Sequence, residues 1–144
     1  MRTKFSLLIA LMLFTVSINA QSVLGKWKTI DDETGKEKSI VEVYQKDGKV
    51  YGKIISLLNR EPGDEDPICD KCTDDRKDKH IIGMEIIRDM ELDGDRYEDG
   101  TIADPGNGKI YDCKLWVDED NSKVLKVRGY IAFFYRTQTW YKVE

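Results

Sequence analysis

Two cysteines separated by two residues, Cys69 and Cys72, are the side chains best suited to chemistry, and the single histidine, His80, follows them. Such a pair is a redox centre when its first thiol lies at a helix N-terminus after a strand. With His80 and an aspartate, the pair would also supply four zinc ligands. The surrounding segment is polar and has no helical pattern, and no second Cys-x-x-Cys is present. The pattern therefore favours a disulfide that staples a loop, and we predict neither a metal nor a cofactor here.

The other candidates for catalysis or cation binding are less specific. His80 is accompanied by no Gly-x-Ser-x-Gly motif, so we interpret it as a surface residue rather than a general base. The acidic run 64–66 lacks the ligand order of an EF-hand and is interpreted as a solvated loop. The third cysteine, Cys113, occupies an inward position of a strand pattern, where it acts as a small apolar residue. No catalytic residue is assigned.

Arg88 is a candidate for ligand binding because of its place in the apolar and polar alternation of its strand. It shares parity with Ile86 and Met90, so a regular strand would direct its side chain inward. A buried guanidinium needs a carboxylate or an anionic ligand, unless a bulge or a strand end lets it reach water. Tyr111 and Tyr130 are the further ligand-binding candidates because their aromatic area would suit a cavity wall.

The N-terminal residues 1–20 have the pattern of a secretory signal peptide. Arg2 and Lys4 precede an apolar run from 5 to 18, and Asn19-Ala20 ends it. The run is shorter than the ~20 residues of a spanning helix. We therefore expect residues 21–144 to be exported, to the periplasm or beyond, without a transmembrane span. The net charge of −4 becomes −6 without Arg2 and Lys4, which argues against nucleic acid as a partner.

Alternating apolar and polar residues predict an all-β fold of about eight strands without a helix. Asp47-Gly48 and Asp93-Gly94 are typical of two-residue hairpin turns, 104–108 is a denser turn, and a last turn is predicted near Tyr135-Arg136. Consecutive hairpins favour an antiparallel meander that closes into a barrel, with a β-sandwich as the alternative. The interior of such a barrel is either filled by side chains or holds one small ligand.

One segment interrupts the strand pattern. Residues 59–82 contain little apolar surface, two prolines and the Cys69–Cys72 pair. Loops of this length in compact domains are usually functional or mobile. We expect this segment to lie over one end of the barrel as a lid.

The first strand resembles the Gly-x-Trp opening of lipocalins, here Gly25-x-Trp27. In lipocalins the Trp plugs the closed end and an Arg from near the end of the chain packs on it. Arg128 is the better match for this position: if the last hairpin turns near 135–136, Arg128 pairs near Val143 and can reach Trp27 across the closed barrel. It would form a structural signature with Gly25 and Trp27.

A second resemblance covers nearly all of 21–144 and is to the bacterial family called domain of unknown function 2147. It rests on an ordered set of motifs: Gly25-x-Trp27, Cys69-x-x-Cys72, Ile82-Gly83, Gly100-x-Ile102-x-Asp104-Pro105-x-x-Gly108-Lys109-x-Tyr111, Val127-Arg128-Gly129-Tyr130 and Thr137-Gln138-Thr139-Trp140. The resemblance implies an exported, lipocalin-like barrel of the bacterial envelope, as a single domain, but it implies no reaction.

These observations give one hypothesis and two rivals. The first is a non-enzymatic exported barrel that binds a small apolar or amphipathic ligand in its interior, with Arg88 holding any acidic group. The second is an envelope protein-interaction module with a filled barrel, in which residues 59–82 form the contact surface. The third is a hydrolase, which the lack of a nucleophile-and-base constellation disfavours.

Overall fold

The computed structural model describes residues 22–143, and they form eight antiparallel strands closed into a barrel in sequential order. The strands are β1 (Gly25–Ile30), β2 (Glu37–Lys46), β3 (Lys49–Leu57), β4 (Glu85–Asp93), β5 (Arg96–Asp104), β6 (Lys109–Val117), β7 (Val124–Ile131) and β8 (Phe134–Lys142). The predicted barrel is confirmed. The signal peptide predicted for residues 1–20 lies outside the described residues.

The barrel closes between its first and last strands. Trp27 pairs with Lys142 and Lys28 with Tyr141, and the Val143 amide donates a hydrogen bond of 2.9 Å to the Lys26 carbonyl. These contacts lie where β1 begins and β8 ends. We call this the packed end, and the opposite end, where β1 ends and β8 begins, the open end.

The packed end is filled by inward-facing side chains. Trp27, Leu115 and Leu125 are completely buried there, and the Trp27 indole donates a 2.8 Å hydrogen bond to the Val23 carbonyl. Alternation along each strand directs these residues inward and charged residues outward. The burial of large apolar side chains, each contributing about 1.5–3 kcal/mol, stabilises this half of the barrel.

The turns mostly follow the sequence. Asp47 and Gly48 both have positive φ in the β2–β3 turn, as a type I′ hairpin requires. The β4–β5 loop is Gly94-Asp95, one residue later than predicted. The last turn is Ala132-Phe133, because Ile131 pairs with Phe134. The prediction of a turn near Tyr135-Arg136 is therefore wrong, since both residues belong to β8.

Two strands depart from regular pairing at neighbouring points. In β4, Ile86 and then Arg88-Asp89 are bulged opposite β3; in β5, Glu98-Asp99 are bulged opposite β6. Asp89 and Asp99 both have positive φ, a conformation that aspartate tolerates better than most residues. Bulges increase the local twist and re-aim side chains, and here they bend the wall of the barrel.

Gly100 lets β4 and β5 approach at this bend. A Cβ at Gly100 would collide with the carbonyl oxygen of Arg88 and with the sulfur of Met90. The register shift between Tyr97 and Gly100 places this glycine next to the bulge of β5.

We expect Gly100→Ala to lower the free energy of unfolding by about 3 kcal/mol, because a backbone carbonyl cannot move aside as a side chain end can. Urea denaturation measures this loss. Gly106→Ala is the matched control, since a Cβ there would approach only a carboxylate oxygen of Asp104. Equal stability of the two variants would contradict the close approach of β4 and β5 at Gly100.

Candidate functional site

A cavity of about 230 Å³ occupies the open end of the barrel. Its apolar wall is formed mainly by Ile54, Ile86, Ile102, Val127 and Trp140. Its polar wall includes Thr29, Ser39, Asn107, Tyr111, Arg136 and Gln138. The cavity therefore combines apolar surface with hydrogen-bonding groups, the usual composition of a small-molecule site.

Two buried hydroxyls stand side by side on β1 and β2. The Oγ atoms of Thr29 and Ser39 are 2.7 Å apart, and the Ser39 amide donates to the Thr29 Oγ1 at 3.1 Å. Both residues pair across the strands and face inward. The Thr29 oxygen is occupied by these bonds, whereas the Ser39 hydroxyl keeps acceptor capacity for a ligand.

A chain of hydrogen bonds runs up the inner face of β8. The Trp140 indole donates to the Gln138 Oε1 at 2.9 Å, and the Gln138 Nε2 donates to Asp32 at 2.8 Å. The Arg136 guanidinium lies 3.1 Å from the same Asp32 carboxylate. Because Asp32 balances Arg136, this side of the cavity offers hydrogen bonds without net charge.

Tyr111 is the predicted ligand-binding residue that lies at the cavity. Its hydroxyl accepts a 3.0 Å hydrogen bond from the Asn107 side chain, and it pairs with Ile102 on the inner face. The turn residues 104–108 thus hold the phenol in position at the rim.

Tyr130 does not line the cavity. It pairs with Asp112 on β6, one position from the inward pair Cys113 and Gly129, so its ring lies on the outer face. There it contacts the Tyr135 ring, with centroids 5.8 Å apart. The expectation that Tyr130 contributes to an interior site is therefore not met.

Arg88 also points away from the cavity, contrary to the expectation from parity. The bulge at Ile86 shifts the alternation of β4 by one residue, so Ile87 faces inward and Arg88 outward. The bulge weighed as the alternative for Arg88 is present, and the guanidinium is also paired with carboxylates. Its guanidinium makes two bonds to Asp75, of 2.8 and 2.9 Å, and one of 2.9 Å to Glu85.

The structural signature predicted from lipocalins is only partly present. Trp27 plugs the packed end, but the cation over its ring is Lys142, at 4.7 Å, and not Arg128. Lys142 also donates to the Leu24 carbonyl, and a Cβ at Gly25 would collide with it. Arg128 instead lies 4.4 Å from the Tyr135 ring, on the outer face. The prediction failed because the last turn comes earlier, pairing Arg128 with Thr137.

The segment 59–82 begins and ends at the open end, but none of its residues lines the cavity. It packs instead on the outer wall and on the β5–β6 turn. A Cβ at Gly108 would collide with the Lys71 carbonyl, and the Lys71 ammonium donates to the Gly106 carbonyl at 3.3 Å. The predicted lid is therefore wrong in its position: the segment is a brace beside the cavity.

A disulfide joins Cys69 and Cys72, as the spacing favoured. Both sulfurs are buried and so belong to the core under the segment. Because they are bonded to each other, they are not available as zinc ligands. Within 22–143 no group of three metal-binding side chains is assembled. Cys113 is buried on the inner face of β6, and burial raises the pKa of its thiol to about 12, so it is inert.

Arg76 anchors the segment from inside, with only 3% of the residue exposed. It donates to the Glu85 carbonyl at 2.9 Å and to the Asp74 carboxylate at 3.0 Å. Together with the Arg88–Asp75 pair, this contact accounts for two of the acidic residues of the segment. Asp74 neutralises Arg76 within the segment, and Asp75 neutralises Arg88 on β4.

The sequence profile of a family described as an uncharacterised protein conserved in bacteria, DUF2147, matches residues 25–142. The chain belongs to this family. The match spans the whole barrel, from the first residue of β1 to the last of β8. The resemblance stated from the motifs is therefore confirmed.

The DUF2147 barrel is also similar to the solved structure of protein HP1028 from the human pathogen Helicobacter pylori, which is described as belonging to the lipocalin family. The TM-score is 0.71 at 18% identity, over 85% of this chain and 84% of that chain. No curated protein matches the sequence. At this identity the likeness shows the fold, which is lipocalin-like. Residues 22–143 of the DUF2147 chain contain no helix with the length and apolar character needed to cross a bilayer.

The Arg88–Asp75 contact predicts how the DUF2147 brace responds to acid. The hydrogen bonds from Arg88 lower the pKa of Asp75 from 3.8 to about 2. The contact therefore stabilises the brace fully above about pH 4, and this contribution is lost as the pH falls through about 2. NMR signals of residues 70–80 should shift in that window while signals of the packed end stay unchanged.

Asp75→Asn should produce faster amide exchange in residues 70–80 at neutral pH, because Arg88 then keeps only its pair with Glu85 on β4 and loses the charged partner in the segment. Asp95→Asn, in the exposed β4–β5 turn, is the control and should leave exchange unchanged. Equal protection of the brace in both variants would show that Arg88 does not hold it.

Proposed function

We propose that this DUF2147 protein binds a small, partly apolar molecule inside the open end of its barrel, as an exported, non-enzymatic protein of the bacterial envelope. The observation that carries the proposal is the 230 Å³ cavity within the barrel, with one apolar and one hydrogen-bonding wall. A filled barrel would leave no such volume.

The dimensions and charge of the cavity restrict the ligand. Its volume is below the range of about 300–1,000 Å³ typical of drug-sized ligands, so the ligand is small. Lys38 and Arg136 at the lining are matched in number by Asp104 at the lining and by Asp32 beside Arg136, so the cavity has no net positive charge to attract an acidic group. A neutral amphiphile fits best, with its apolar part against Ile102 and Trp140 and its polar part near Ser39 and Gln138.

Export is supported by two observations. Residues 1–20 have the pattern of a signal peptide, and Cys69 and Cys72 form a disulfide, which persists in oxidising compartments. The proposed place is therefore the periplasm or the medium. A measured N-terminus near residue 21 in protein recovered from a bacterial envelope would support it.

An interaction module is the second candidate, favoured by the braced segment. The disulfide and the Arg88–Asp75 pair fix it on the outer wall, and Asp64, Glu65 and Asp66 face solvent. If it is the contact surface, changing 64–66 to the corresponding amides abolishes capture of a partner from envelope extracts and leaves ligand binding unchanged.

Gly129→Leu tests the cavity directly. A Cβ at Gly129 meets only ordinary contacts, the nearest at 3.4 Å from Tyr111, so the larger side chain enters the cavity without disturbing the backbone. We expect at least a tenfold loss of affinity for the apolar probe N-phenyl-1-naphthylamine, equivalent to about 1.4 kcal/mol. Fluorescence titration measures the affinity, and native mass spectrometry of envelope-purified protein detects a retained ligand.

Thr101→Leu is the matched control, because it adds a similar side chain on the outer face, opposite Asp112. It should bind the probe as the unmodified protein does. Equal binding by Gly129→Leu, or a barrel that arrives without ligand and takes up no probe, would end the carrier proposal.

A further inference from the structure

The tip of the β7–β8 hairpin exposes an apolar cluster beside the cavity. Phe133 is 97% exposed, Phe134 76%, Tyr135 63% and Ile131 46%. The two-residue turn Ala132-Phe133 places them at the end of a projecting ribbon. Single exposed apolar residues are ordinary, but four at one tip mark a contact surface. We call residues 131–135 the aromatic tip.

The residues behind the aromatic tip follow a definite order along the paired strands. Ile131 pairs with Phe134, Tyr130 with Tyr135, and Gly129 with Arg136. The order from the tip inward is therefore apolar, amphipathic aromatic and cationic. At about 3.4 Å per residue, the step from the turn to Arg136 is about 10 Å. An element of this order and depth matches the acyl, interfacial and headgroup layers of a membrane surface.

The charge of the hairpin supports the same match. Residues 122–143 contain five lysines and arginines and no aspartate or glutamate, in a chain whose net charge is −4. Arg128 lies over the Tyr135 ring and donates to Thr137 at 2.6 Å, and among residues 22–143 no carboxylate is paired with it. Two acidic groups lie beside the strands that carry the tip: Asp32, already paired with Arg136, and Asp112 on β6, opposite Tyr130.

We propose that the aromatic tip docks on an anionic lipid surface, with Phe133 and Phe134 inserted and Arg128 beside the headgroup phosphates. A lipid surface receives a convex tip without a complementary pocket, whereas a protein partner would need one. Arg136 and Gly129 line the cavity and lie within three residues of the turn, so docking places the open end at the membrane. The proposal holds whether or not the cavity binds a ligand.

Vesicle sedimentation tests the proposal with the full chain, so that every variant carries the same N-terminal segment. Vesicles of phosphatidylcholine alone are compared with vesicles that also contain phosphatidylglycerol. We expect at least tenfold tighter binding to the anionic vesicles, about a tenfold loss for Phe133→Ser, and a smaller preference for phosphatidylglycerol in Arg128→Gln. Leu92→Ser is the matched control, because Leu92 is 63% exposed near the packed end.

A tryptophan at the tip reports insertion independently. Lipids brominated on their acyl chains quench the emission of a tryptophan that inserts among them. We expect such vesicles to quench a larger part of the tryptophan emission of Phe133→Trp than of the unmodified protein. The proposal is overturned if Phe133→Ser and Leu92→Ser bind vesicles equally. It is also overturned if vesicles bind no protein while the tip drives self-association in ultracentrifugation or retains a protein from envelope extract.

Discussion

The closure of the barrel by a very short pairing between β1 and β8 governs the rest of the structure. Closure satisfies the edge groups of a meander, but in residues 22–143 only Trp27 and Lys28 are in register with β8. Beyond Lys28 the two strands separate. Thr29 on β1 and Gln138 on β8 then face the cavity instead of each other. The cavity at the open end therefore exists because the pairing of β1 with β8 stops after Lys28.

Asp32 connects the strands where they have parted. It accepts one hydrogen bond from Gln138 and lies against Arg136, both on the inner face of β8. This side-chain contact replaces the backbone ladder that holds the packed end. A side-chain bridge restrains the strands less than a ladder does, so the open end is where local opening should cost least. The same separation leaves the β7–β8 hairpin to project past β1.

The fold could be predicted from alternation and turn residues, because period two and the Asp-Gly pairs are local signals. The direction of the Arg88 side chain could not be predicted in the same way. The bulge at Ile86 depends on the register with β3, and it exchanges the inward and outward positions that follow it. The position of Arg128 could not be predicted, because it depends on the last turn. That turn includes Ala132 with a positive φ, which an alanine does not indicate in a sequence. Gln138 and Arg136 share parity with Trp140, and this signal could have pointed to the inner face of β8.

The residues whose types first indicated chemistry prove to be structural. Cys69 and Cys72 form a buried link, and Asp74 and Asp75 neutralise Arg76 in the same segment and Arg88 on β4. A buried or half-buried guanidinium requires such a partner, so Asp74 and Asp75 are explained by the two cations beside them. Because that segment is held on the outer wall, it leaves the cavity uncovered. The cavity is instead lined by residues such as serine, threonine, glutamine and isoleucine, and they face a common space only because the closing strands diverge there.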